Sequence, residues 1–94
     1  LAIIALTLDI YLPACRSLKE KRSRLRGLRD RFGKSPGIAL SETAFHDRHD
    51  RAQWCAVAIG SDRGQLESQL RSIEKYIHEH IDGYMTHVQI ESLR

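Results

Sequence analysis

S-L-K-E-K-R-S-R-L-R-G-L-R-D-R-F, residues Ser17 to Phe32, is the stretch on which the fold turns. Ser17 followed three residues later by Glu20 is a capping box: the hydroxyl accepts from the N–H of Glu20 and the carboxylate reaches back. Leu18, Leu25, Leu28 and Phe32 then fall on one side of a period of about 3.6 residues, which predicts a helix packed on an apolar surface. Gly27 inside it costs roughly 1 kcal/mol against Ala, so tertiary packing must hold the helix. Lys19, Lys21, Arg22, Arg24, Arg26, Arg29 and Arg31 against Glu20 and Asp30 leave this stretch at +5, and Arg16 just before it makes +6. The whole chain carries a formal charge of only +3, so its basic character belongs to this one helix.

Upstream, Leu1–Leu12 alternates, with Ile4, Leu6, Leu8, Ile10 and Leu12 on one side and Ile3, Ala5, Thr7, Asp9 and Tyr11 on the other. Period two with one apolar side predicts a half-buried strand, closed by Pro13. Downstream, Phe32–Gly33 ends the helix and Lys34–Gly37 (K-S-P-G) is a turn. Ile38–Ala44 is a second strand with Ile38, Leu40 and Glu42 on one side, and Phe45–Arg51 (F-H-D-R-H-D-R) a polar loop. Ala52–Ile59 is the third strand. Asp62 with Gln65 three residues later starts a second helix, in which Leu66, Leu70, Ile73 and Ile77 step by four and three. Asp82–Gly83 turns the chain into a last strand, Tyr84–Ile90.

The order βαββαβ predicts an α+β, ferredoxin-like sandwich: two helices on one face of a four-stranded antiparallel sheet in the order 4-1-3-2, all of residues 1–94 forming one domain. The alternation sends Ile4, Leu6, Leu8, Ile10, Val57, Ile59, Val88 and Ile90 to the helices. It sends Ala5, Thr7, Tyr11, Ser41, Trp54, Ala56, Ala58 and His87 to the open face. With 41% hydrophobic and 29% charged residues the composition is that of a globular chain, and no apolar run approaches the roughly 20 residues of a membrane span. Cys15 and Cys55, without a secretory signal, imply reduced thiols and a cytoplasmic location.

Pro13, then Ser17-Leu18-Lys19-Glu20-Lys21-Arg22, the spacing Glu42-x4-Asp47-x3-Arg51-Ala52, and Ser61-Asp62 together resemble the YlxP-like proteins, small bacterial proteins of unknown function. The resemblance runs over essentially the whole chain. It implies a ferredoxin-like fold and a gene neighbourhood among translation and ribosome-maturation factors, with no established biochemical activity.

Three constellations bear on function. The first is the basic helix. Placed at about 100° per residue, its charges spread around the exposed arc rather than forming one row. Eight basic residues within Arg16–Arg31 exceed what solubility requires and point to phosphate contacts by Lys19, Lys21, Arg22, Arg24, Arg26, Arg29 and Arg31. The second is the open sheet face, where Tyr11, Trp54, Ala56 and Ala58 would form a flat apolar patch suited to self-association. The third is the loop, whose His46, Asp47 and His49, with Glu42 nearby, are potential metal ligands. They lack H-E-x-x-H or C-x-x-C spacing, and salt bridging in a solvated loop accounts for them. No cofactor motif and no catalytic set is present. The expected function is a non-enzymatic RNA- or ribosome-associated protein. A homodimeric interaction module and a metal-dependent phosphodiesterase are the alternatives.

Overall fold

In the computed structural model, which describes residues 1–94, the alternating first segment forms β1 (Ala2–Tyr11). It is followed by α1 (Leu18–Phe32), β2 (Ile38–Ala44), β3 (Arg51–Gly60), α2 (Arg63–His80) and β4 (Tyr84–Ser92). All strand pairs are antiparallel, in the order β2-β3-β1-β4, with both helices on one face of the sheet. The capping box closes as the sequence predicts, Ser17 Oγ accepting from the Glu20 N–H at 3.0 Å. The Glu20 carboxylate reaches one residue beyond the cap, to the N–H of Arg16 at 2.7 Å. Asp62 caps α2 through the N–H of Gln65 at 3.2 Å.

The core lies between the sheet and the helices. Leu6, Leu8, Ile10 and Leu12 meet Leu28, Leu70, Ile73 and Ile77, all fully buried. Within the sheet, Ile4, Leu6, Leu8 and Ile10 stand opposite Ala58, Ala56, Trp54 and Ala52. This register corrects the expectation for β3. Trp54, Ala56 and Ala58 are 4%, 1% and 0% exposed beneath the helices, whereas Ile59 is half exposed on the other face. The open-face patch expected from Tyr11, Trp54, Ala56 and Ala58 therefore does not exist; of the four only Tyr11 is exposed, at the end of β1.

The reason is steric and polar together. The long side chains of β1 already fill the layer, so the neighbouring central strand contributes alanines and α2 can approach closely. Gln53 must then turn outward, where it donates to Asp9 Oδ1 at 3.0 Å and accepts from the Thr43 hydroxyl at 2.8 Å. Val57 and Ile59 follow Gln53 by the period of two.

Gly27 sits where the helices meet. A methyl group placed there would fall on the Tyr76 hydroxyl and lie 3.0 Å from its Cζ. The Tyr76 ring is held edge-on to Phe32 at 5.6 Å and against His80 at 4.8 Å. The absent side chain thus makes room for an aromatic side chain of α2.

Candidate functional site

The basic residues of α1 divide into three sets. Lys21 is buried, and its Nζ lies 2.9 Å from Glu42 Oε2 while donating to the carbonyls of Phe45 and Arg48 at 2.8 Å each. Arg24 donates to the carbonyls of Pro13 (2.9 Å) and Asp82 (3.3 Å) and lies near the carboxylates of Glu20 and Asp82. Both are among the residues expected to contact phosphate, and both already have oxygen partners within the protein. Arg31 lies over the Phe32 ring at 5.9 Å, on the side of α1 that faces α2.

The other four, Lys19, Arg22, Arg26 and Arg29, recur at spacings of three, four and three residues. On a helix this confines them to an arc of about 80°. They line one wall of a groove of about 430 Å³ whose remaining lining is Lys21, Leu25, Glu42 and Trp54. Of the five α1 cations without an ion pair or hydrogen bond, these four form one row, and Arg31 stands apart from it on the α2 side. None of the four makes an ion pair or a side-chain hydrogen bond within the protein. Like charges three and four residues apart repel by about 0.2–0.5 kcal/mol per pair, so the row works against the helix that carries it. Arg29 is laid over the Trp54 ring at 5.2 Å.

The far side of the groove holds Glu42 and Trp54. Glu42 Oε2 and Trp54 Nε1 are the buried side-chain nitrogen and oxygen atoms of the chain that lack a hydrogen-bond partner. Glu42 Oε2 lies 2.9 Å from Lys21 Nζ and is matched by that ion pair, which leaves the Trp54 N–H as the buried polar group without a partner. The two residues face each other across the β2–β3 ladder.

The loop between β2 and β3 does not assemble a metal centre. His46 Nε2 lies 3.0 Å from the Glu42 carbonyl, and the His49 Nδ1–H donates to the Cys15 carbonyl at 2.6 Å. These contacts draw the two rings to different parts of the frame, and no group of three or more His, Cys, Asp or Glu comes together. Arg48 pairs with Asp50 at 3.1 Å, whereas Arg51 lies over the Phe45 ring at 4.8 Å and Asp47 has no ion-pair partner. Phe45 takes a positive φ of 64°, and Lys21 bridges the carbonyls on either side of the turn it begins. Burial pushes the Cys15 thiol up from 9.0, which suits an inert thiol, and its S–H donates to the Ser17 carbonyl at 3.6 Å.

This architecture defines a ferredoxin-like α+β domain with a cationic groove between α1 and the edge of its sheet. The profile of a family described as "Protein of unknown function (DUF503)" matches residues 3–90, and the chain belongs to that family. That finding replaces the YlxP-like assignment and, with it, the ribosomal neighbourhood that the assignment implied. Among solved structures, the structural-genomics protein YJCS is similar, with a TM-score of 0.61 at 7% identity over 98% of this chain and 99% of its own. This likeness is one of fold alone. The de novo designed protein Ferredog-Diesel matches 95% of this chain and 83% of its own, at 13% identity and a TM-score of 0.49. No curated protein matches the chain. No helix is long and apolar enough to cross a membrane.

Sequence reasoning missed Glu42 and Trp54 as groove residues. The signal for Glu42 was present: it shares the inward parity of Ile38 and Leu40, which a carboxylate occupies only with a cation beside it.

Proposed function

We propose that this protein is a non-enzymatic RNA-binding protein that grips phosphates with Lys19, Arg22, Arg26 and Arg29. One observation carries the reading: four cations share a wall of one groove and none makes an ion pair or side-chain hydrogen bond inside the protein. Lys21 and Arg24 on the same helix are paired within the fold, and the unpaired row beside them supports a role toward something outside the chain. Guanidinium groups offer planar, paired donors that match phosphate oxygens. The test is the salt dependence of binding to single-stranded RNA. Replacing Arg22 and Arg26 by Gln together flattens the slope of log K against log salt by about 1.4, because each lost contact with a single strand removes about 0.7. Arg31→Gln, on the other side of the helix, leaves the slope near that of the wild type. An unchanged slope in the double variant refutes the reading.

Self-association is a second reading, favoured by a different patch from the one first expected. Ile59 is half exposed on the open face opposite Ile3, with Leu1 and Leu93 exposed at the same end. Sedimentation over a range of concentrations separates the two readings, since RNA binding by a monomer needs no such contact.

A further inference from the structure

The row of Lys19, Arg22, Arg26 and Arg29 is bounded on both sides by groups that give a phosphate nothing. From Lys19 to Arg29 it runs about 15 Å along the helix axis. Toward the sheet, Lys21 Nζ lies 2.9 Å from Glu42 Oε2, so that pair is neutral as a unit and draws no anion off the wall. Leu25 and Trp54 are each 4% exposed and offer a ligand no surface. Toward solvent, a step of about 100° per residue places Asp30 about 20° beyond Lys19. Asp30 is exposed and makes no ion pair, so a free carboxylate borders the row on its outward side, one turn after Arg26.

The flank of α1 that faces α2 is different. Arg24 is taken up by Pro13, Glu20 and Asp82. The cleft between the helices holds Arg31, Lys75, Glu79 and His80, and there Lys75 and His80 each lie 3.9 Å from the Glu79 carboxylate. Of these cations only Arg31 lacks an ion pair or hydrogen bond, and it lies over the Phe32 ring. Unengaged cations therefore stand in single file on one flank of the helix. The phosphates of a duplex run in two lines, and a second line crossing α1 would meet Asp30 and Glu79 with Arg31 as its one free cation. A single strand needs one line only. The contrast is informative because a featureless basic surface favours the duplex, each contact releasing about 0.9 of a counterion there against about 0.7 on a single strand.

We infer that the row is a track for one strand of RNA, running along α1 and engaging no more than four consecutive phosphates. This rests on the phosphate-contacting reading of the row and adds which form of RNA it takes and how much of it.

The experiment measures binding of the intact protein to a short unstructured RNA strand, and to the same strand annealed to its complement, over a range of salt. The single strand should bind ten-fold or more tightly than the duplex. In a series of single strands of increasing length, the slope of log K against log salt should rise to about 2.8, four contacts at about 0.7 each, and then stay level. Glu79→Gln releases Lys75 beside Arg31 and supplies part of a second line. It should strengthen duplex binding several-fold and leave the single-strand slope unchanged. Duplex binding as tight as single-strand binding, or a slope that keeps growing with length, overturns the single-strand track while leaving the RNA reading intact. A duplex that Glu79→Gln does not help overturns the role given to the α2 flank. No salt-dependent binding of either form overturns both the track and the RNA reading.

Discussion

α1 and α2 occupy equivalent places in the repeated β-α-β unit and are held there by different forces. α2 buries Leu66, Leu70, Ile73 and Ile77 over the two central strands, four large aliphatic side chains on one stripe. Burying each contributes about 1.5–3 kcal/mol. α1 buries Leu25, Leu28 and Phe32, and its fourth buried residue is a lysine. It is fastened by polar contacts that reach outside itself: Lys21 to Glu42 and the loop after β2, Arg24 to Pro13 and Asp82, and Glu20 to Arg16. A helix fixed by a few directed contacts leaves the rest of its surface free of packing duties. That freedom lets one arc of α1 carry four cations that the fold does not use, while α2 has no comparable row.

The strongest way to break this contrast is at Lys21. Lys21→Met keeps the aliphatic stem but leaves Glu42 buried beside two carbonyls with no cation. Removing one partner of a buried pair costs about 3–5 kcal/mol. The midpoint of urea unfolding should fall accordingly. Lys19→Met, two residues away and unpaired, should move stability by no more than about 0.5 kcal/mol. Equal effects of the two substitutions would mean that the buried lysine is not what fastens α1.

A smaller effect sharpens the contrast where the helices touch. By helix propensity alone Gly27→Ala gains about 1 kcal/mol. Against the Tyr76 ring it should instead lose about 1–3 kcal/mol, the usual range for overpacking. In a Tyr76→Leu background the same substitution should regain its favourable sign. A stabilised Gly27→Ala protein with Tyr76 intact would show that the ring yields and that the crossing is looser than its contacts imply.

The elements, their order and the sheet topology could be read from periodicity because each has one dominant apolar side. β3 could not be read this way. Ala52, Trp54, Ala56 and Ala58 compete with Val57 and Ile59 on nearly equal terms, and hydrophobicity favours the wrong face. Gln53 decides it, since an unpaired amide is costly in the core and cheap on the open face. The basic helix was recognisable as a polyanion candidate, but not which of its charges are available. Lys21 and Arg24 are engaged by partners remote in sequence, Glu42 and Asp82, and no local pattern announces those pairings. The groove was invisible for the same reason, being made by α1 together with two strands that follow it.

The smallest expected effect lies at the two helix starts. Glu20 is the acidic residue in the first turn of α1, and the first turn of α2 has none. The Arg16 N–H donating to its carboxylate, with Arg24 adding attraction, holds Glu20 below its ordinary value of 4.5. A carboxyl group whose pKa is lowered in the folded state stabilises that state when ionised. Its contribution is therefore complete above pH 4.5 and is lost as pH falls through the lower folded value. Glu20→Gln keeps an acceptor for the Arg16 amide but removes the charge. The variant should melt slightly below the wild type at pH 7, and the gap should close as the wild type is acidified past its Glu20 titration. The side chain is exposed at the surface, so the gap should also shrink in high salt. The carboxyl carbon of Glu20, followed by NMR, should titrate with a midpoint under 4.5. A midpoint at or above that value, or a gap that persists in acid, would mean that the cap holds α1 by geometry alone.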